Sequence, residues 1–281
     1  MFFWKKKEDI PVTKELIDEL KLQKDYKKII NVISNELRKG RQSDYLFCEL
    51  ADATEKAEKK PDPNKLMDLY NNAVRLNPKN AVAYYRRALI KIKVNILQEA
   101  TKDLTFAVEL NPKDYLSLTE LGNIKYKYAK YKEAVEYYNR AIELSEDYAP
   151  ALIARAKANN ELGMYEAAIS DLSQALILSN DDLSILILRG ETKYKTDDFN
   201  GAIKDYTKVL ETKPDDIPTY EKRAKAYVAK KNYALAVQDY EKIISLDKKN
   251  INARLECAKV LHQYLKGTNA GMSMVASAIK L

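Results

Sequence analysis

The residue types best suited to catalysis or metal binding are scarce in this chain of 281 residues. It contains one histidine, His262, and two cysteines, Cys48 and Cys257, that lie far apart in the sequence. Nucleophilic catalysis needs a nucleophile beside a base, and a metal site needs several ligands in one pocket. No such constellation is visible. We therefore expect no catalytic residue, no metal site and no cofactor, and we predict that the chain is not an enzyme.

Arginine and aspartate form the clearest chemical pairing in the sequence. Four arginines are each followed by an aspartate 16 residues later, whereas the equivalent positions Leu121 and Ala53 are followed by Tyr137 and Leu69. The two residue types thus occur together or not at all, and a guanidinium group suits a carboxylate partner, so we predict structural salt bridges. The alternative, that the arginines contact a ligand, is weaker because each has a consistent acidic partner. The predicted pairs are Arg87 with Asp103, Arg155 with Asp171, Arg189 with Asp205, and Arg223 with Asp239.

A period of 34 residues organises most of the chain and must position these pairs. Pro78, Pro112 and Pro214 occur in the same local context, at separations of 34 and 102 residues. A fixed period of this length indicates stacked supersecondary units instead of one closed core. The same period relates the alanines Ala73, Ala107, Ala141 and Ala175.

One period, residues 115–148, contains two amphipathic segments. Apolar residues in the second segment follow the i, i+3, i+4, i+7 spacing of a buried helix face, and Ala129-Lys130-Tyr131 forms a short connection between the segments. In other periods a proline follows the second segment and stops the helix there. Each unit is therefore predicted to be a helical hairpin.

Residues 115–148 resemble the tetratricopeptide repeat (TPR) through Leu118, Leu121, Gly122, Ala134 and Tyr138. The resemblance implies an all-α fold, a right-handed α-solenoid of stacked helical hairpins known as a TPR superhelix. It places an N-terminal aromatic and lysine segment at 1–9, the TPR array at 10–266 and a C-terminal tail at 267–281. The array comprises a degenerate repeat at 10–43, repeats at 47–80, 81–114, 115–148, 149–182, 183–216 and 217–250, and a capping helix at 251–266.

The resemblance also implies a protein or peptide ligand, held extended in a concave groove that the first helix of each hairpin lines. Tyrosines are rigid anchors in interfaces and amides can bond a peptide backbone, so residues of these types at lining positions favour this function. Some lining positions could instead pack between neighbouring repeats. We predict a non-catalytic protein–protein interaction scaffold. The groove candidates are Tyr85, Asn123, Tyr126, Lys157, Asn160 and Tyr194.

A specialised version of such a groove, the carboxylate clamp of chaperone-tail-binding members, is incomplete here. Asn123 fits one of its positions, but Thr119 and Ala154 stand where the clamp has lysine and asparagine. We therefore do not expect a reader of C-terminal carboxylates of that type.

The net charge of +7 raises an alternative function, a nucleic-acid or membrane-surface adaptor that uses the basic excess and the FFWKKK segment at 2–7. Acidic residues are interleaved with the basic ones throughout, whereas a nucleic-acid groove shows clustered lysine and arginine. We expect no specific nucleic acid, and at most a weak membrane contact through the N-terminus. The free cysteines and the lack of a secretory signal or a transmembrane run favour a cytoplasmic, intracellular protein, peripheral to a membrane if that contact forms.

Overall fold

The computed structural model describes residues 12–180 and 182–264, and within them all regular secondary structure is α-helical. Fifteen helices occur in these residues, where the repeats predicted about 14. Their bounds are α1 Lys14–Leu22, α2 Tyr26–Arg38, α3 Asp44–Ala57, α4 Pro63–Leu76, α5 Ala81–Lys93, α6 Leu97–Leu110, α7 Tyr115–Lys127, α8 Tyr131–Leu144, α9 Ala149–Glu161, α10 Tyr165–Leu178, α11 Leu183–Lys195, α12 Phe199–Thr212, α13 Ile217–Ala229, α14 Tyr233–Leu246 and α15 Ile251–Tyr264.

The helices form two compact units, residues 1–124 and residues 125–281. In the first unit, each pair of consecutive helices from α1 to α6 packs together. In the second unit, α8 to α15 do the same, and α11 also contacts α13. The predicted all-α stack of helical hairpins is therefore confirmed within each unit.

Small residues at fixed repeat positions allow the paired helices to approach closely. Ala100, Ala134, Ala168, Ala202 and Ala236 are all fully buried, as are the alanines of the 34-residue series noted above. Larger buried side chains fill the remaining space, and each contributes about 1.5–3 kcal/mol of hydrophobic free energy. They are Tyr70, Leu104, Tyr138, Leu172, Tyr206 and Tyr240.

A left-handed residue ends the first helix of six hairpins. At Gly163, φ is +74°, and the N–H of the next residue, Met164, donates to the carbonyl of Asn159 at 2.8 Å. This i to i−5 hydrogen bond closes the helix C-terminus and turns the chain into the second helix. The equivalent residues of the other five hairpins also have positive φ, namely Lys24, Asn95, Ala129, Asp197 and Lys231.

The hairpin of α3 and α4 has a longer connection than the others, residues 58–62. Its second helix begins at Pro63, because a proline lacks the N–H that would be unpaired at the first helical position. The side chain of Asp62 caps that helix by accepting the N–H of Asn64 at 3.0 Å.

Candidate functional site

The groove candidates of the sequence fall in both units. Tyr85 and Asn123 belong to residues 1–124, where both are half-buried. The Asn123 amide donates to the carboxylate of Glu120 at 3.2 Å. Tyr126, Lys157, Asn160 and Tyr194 belong to residues 125–281.

The four candidates of the second unit differ in exposure. Tyr126 is half-buried against Tyr131, with the ring centroids 5.3 Å apart, and its burial raises the pKa of the phenol. Lys157 is exposed. Tyr194 is 37% exposed, and its ring lies edge-on to that of Phe199 at 5.3 Å. Tyr194 is therefore held by an aromatic neighbour while a large part of its surface faces solvent.

Asn160 lies between the first helices of two consecutive hairpins. The residue is buried, and its Nδ2 donates to the hydroxyl of Thr192 at 2.8 Å, a bond from α9 to α11. Among the described residues its Oδ1 has no hydrogen-bond partner. The amide nitrogen thus joins the first helices of two consecutive hairpins, which is the packing role that the sequence analysis left open for some lining positions.

Next to Tyr194, a cavity of about 360 Å³ lies between α11, α12 and α13. Its lining carries three lysines and one carboxylate, that of Glu191, which pairs with Lys222 at 3.4 Å. Two further cavities, of about 250 and 210 Å³, adjoin α13, α14 and α15. Lys225 lines all three cavities, so the three cavities belong to one continuous face of the second unit. The first cavity is lined by Glu191, Tyr194, Lys195, Tyr206, Lys222 and Lys225.

Tyr206 forms the buried wall of the first cavity. Only 2% of the residue is exposed, and its burial, together with the negative charges of Glu191 and Asp205, raises the pKa of its phenol. Gly190 lets this ring lie against α11, because a Cβ at position 190 would come within 2.7 Å of the ring atom Cε1. The cavity therefore depends on a glycine one residue before Glu191.

Each arginine that the sequence pairs with an aspartate makes two parallel hydrogen bonds to it. The Nε and Nη2 donors contact the two carboxylate oxygens at 2.6–2.9 Å, and the carboxylates are almost fully buried. These guanidinium groups therefore form structural salt bridges within their hairpins. The pairs are Arg87–Asp103, Arg155–Asp171, Arg189–Asp205 and Arg223–Asp239.

A third partner of the same arginines was not predicted. In each case Nη1 donates to a side-chain oxygen on the second helix of the preceding hairpin, at 2.8–3.1 Å. Comparing the residues 16 positions before each arginine would have shown it, because all four are small hydrogen-bond acceptors. They are Asn71, Asn139, Ser173 and Thr207.

Other kinds of site find little support in the part of the chain that the structure describes. Within residues 12–180 and 182–264, no group of three or more His, Cys, Asp or Glu side chains is placed to hold a metal ion. None of the described helices is long and apolar enough to cross a bilayer. Cys48 and Cys257 are free thiols. The FFWKKK segment and the tail at 267–281 lie outside the described residues.

A comparison with protein families matches three segments of the chain. Residues 116–148, 183–216 and 217–250 each match the profile of the tetratricopeptide repeat, in the phase that the 34-residue period predicts. No curated protein sequence matches the chain.

Several solved structures share the fold. The chain is similar to a TPR-containing protein of Cytophaga hutchinsonii, with a TM-score of 0.69, 18% identity and coverage of 86% of this chain and 98% of that one. It is similar to YrrB, described as a TPR protein with an unusual peptide-binding site. The TM-score is 0.61, the identity is 20%, and the match covers 68% of this chain and 97% of that one. It is also similar to the structure of the APC/C hetero-tetramer Cut9–Hcn1, with a TM-score of 0.60, 15% identity and coverage of 92% of this chain and 50% of that one. The chain therefore contains tetratricopeptide repeats at residues 116–148, 183–216 and 217–250, and it shares the fold of these TPR structures.

Proposed function

We propose that the chain is a non-catalytic scaffold that binds an extended peptide or a segment of a partner protein, and that the face beside Tyr194 and Lys225 is where the second unit binds it. Tetratricopeptide repeats are protein-interaction modules, and the profile matches indicate no enzymatic domain. A similar fold binds peptide in YrrB, which supports the proposal. Two free thiols suit a reducing compartment, so we propose that the scaffold acts in the cytoplasm.

The observation that carries the proposal is the exposed ring of Tyr194 at the edge of two adjoining cavities. An aromatic side chain held rigidly beside a concave surface loses little conformational entropy on binding, and such residues dominate peptide and protein interfaces. The packing between the helices does not require that exposed surface. A ligand contact would explain it.

An unbiased selection tests the proposal. A random peptide library displayed on phage would be panned against the full chain, and the affinity of selected peptides measured for the wild type, Tyr194→Ala and Tyr128→Ala. Tyr128 is 50% exposed and lies outside the three cavities, so its substitution removes similar surface elsewhere. We expect Tyr194→Ala to weaken binding by about 1–2 kcal/mol and Tyr128→Ala to leave it unchanged.

Thermal unfolding of both variants separates binding from folding. A Tyr194→Ala variant that melts like the wild type but binds less tightly supports the proposal. If selected peptides bind both variants and the wild type equally well, the contact surface lies elsewhere and the proposal is wrong.

A further inference from the structure

The lining of the 360 Å³ cavity has an excess of positive charge. Of its three lysines, Lys222 is paired with the single carboxylate, Glu191, at 3.4 Å. Lys195 lies over the ring of Tyr165, with its Nζ 5.5 Å from the centroid. Lys225 is exposed and makes no ion pair with any residue that the structure describes. The charges of Lys195 and Lys225 are therefore not balanced by a carboxylate of the lining.

Aromatic surface adjoins these charges. Tyr194 presents its ring on one side of the cavity and Tyr206 closes the interior. A ligand that fits both features carries a negative charge beside an apolar group. In a polypeptide, that combination is an aspartate or glutamate next to an apolar residue.

Lysine suits this task because its ammonium is a compact charge on a flexible stem, which can follow a carboxylate without a fixed geometry. Lys225 also lines the two neighbouring cavities, but Glu256 lines both of these and Glu221 lines one, so the first cavity is the one where the lysine charge exceeds the carboxylate charge most.

We propose that the cavity between α11 and α13 receives an acidic side chain of an extended partner peptide, with the carboxylate on Lys225 and the adjacent apolar side chain of the peptide against Tyr194. The proposal rests on the proposed function and names the chemistry of its partner. It differs from the incomplete carboxylate clamp, because the ligand is a side-chain carboxylate within the peptide instead of a chain terminus.

Synthetic peptides with blocked ends test this directly. The probe is a short fluorescein-labelled peptide, acetylated and amidated, in which Glu-Leu pairs are separated by serine and glycine. A second probe carries glutamine in place of every glutamate, and a third is this glutamine peptide with a free C-terminal carboxylate. Fluorescence anisotropy at low and high salt gives the affinity of each probe for the full chain.

Two variants that each lose one positive charge show which lysine contacts the peptide carboxylate. Lys225→Gln removes the proposed ammonium, and Lys204→Gln removes an exposed lysine on α12 that lines none of the three cavities. We expect the glutamate probe to bind the wild type about tenfold more tightly than the glutamine probe, by a charge-assisted hydrogen bond that salt weakens. Lys225→Gln should abolish this difference, and Lys204→Gln should keep it.

Equal affinities of the glutamate and glutamine probes for the wild type would overturn the inference while leaving peptide binding itself in place. Preference for the probe with the free C-terminus would overturn it as well, because the terminal carboxylate would then be the ligand. Failure of the glutamate probe to bind would also overturn it, and the phage selection would then decide separately whether the face binds peptides of another chemistry.

Discussion

The guanidinium group of Arg155 on α9 makes two hydrogen bonds to the carboxylate of Asp171 on α10, from Nε to Oδ2 at 2.9 Å and from Nη2 to Oδ1 at 2.7 Å. Its third nitrogen, Nη1, donates to Asn139 on α8 at 2.8 Å. One side chain therefore joins the two helices of its own hairpin and links that hairpin to the preceding one.

Removal of this arginine should destabilise the second unit. Arg155→Leu leaves the buried carboxylate of Asp171 without its cation, and a lone buried charge costs more than the pair contributes. The Arg155 side chain is 23% exposed, so we expect a loss of about 2–4 kcal/mol in the free energy of unfolding, measured by urea denaturation.

The chain itself provides the control for this change. Repeat 115–148 has Leu121 and Tyr137 at the two corresponding positions. The double variant Arg155→Leu/Asp171→Tyr removes both charges and should be more stable than Arg155→Leu alone. A double variant as unstable as the sum of the two single changes would contradict this explanation of the pair.

Gly190→Ala should disturb the buried wall of the cavity. The added methyl group would lie 2.7 Å from Tyr206 Cε1, so the ring or the helix must shift. We expect a destabilisation of about 1–3 kcal/mol in urea denaturation, as is usual when atoms are forced into a packed core.

Repeats 81–114 and 149–182 combine alanine at this position with leucine in place of the tyrosine, whereas repeat 217–250 combines Ala224 with Tyr240. Ala88 stands with Leu104 and Ala156 with Leu172, and all four side chains are buried. Combining Gly190→Ala with Tyr206→Leu should therefore cost less than the two single changes together, as a double-mutant cycle would measure. Strict additivity would show that the methyl group and the ring do not compete for the same space.

The two thiols should react slowly in the folded protein. Burial raises the pKa of Cys48 to about 12 and that of Cys257 to about 11, so little thiolate forms near neutral pH. A disulfide reagent at about pH 8 should modify both residues slowly in buffer and rapidly in denaturant. Cys48→Ser and Cys257→Ser assign the two rates, and fast modification of either thiol in buffer would contradict the burial.

Glu36 should make the first unit sensitive to acid. Its carboxylate accepts hydrogen bonds from Arg41 at 2.8 Å and Lys39 at 3.2 Å, and these, the Arg41 bond foremost, lower its pKa below 4.5 against the opposing effect of burial. A lowered pKa in the folded state adds stability above about pH 4.5, and this stability is lost as the pH falls through the folded-state value. Glu36→Gln should therefore lower the unfolding midpoint at about pH 7, and the difference should shrink at about pH 3. A difference that does not change with pH would exclude this ion pair as its cause.

The 34-residue period was enough to predict the hairpins, because apolar spacing and proline position are local properties of the sequence. It also indicated which arginine and aspartate meet, since both belong to one hairpin. The sequence did not reveal the burial of Asn160 or the cavity at Lys225. Both depend on how consecutive hairpins stack. A periodic pattern predicts where a residue lies on its helix, but it does not predict which side chains of the next hairpin that residue contacts.

The hydrogen bond from each arginine to the hairpin before it has a consequence for how such a chain can change in length. The acceptors Ser173 and Thr207 are both hydroxyls at the same repeat position. Loss of residues 183–216 by recombination between two repeats of the gene would bring Arg223 opposite Ser173 instead of Thr207, and the bond could re-form. A whole repeat can thus be deleted or duplicated while each arginine Nη1 keeps a hydrogen-bond acceptor. We expect the variant that lacks residues 183–216 to unfold cooperatively.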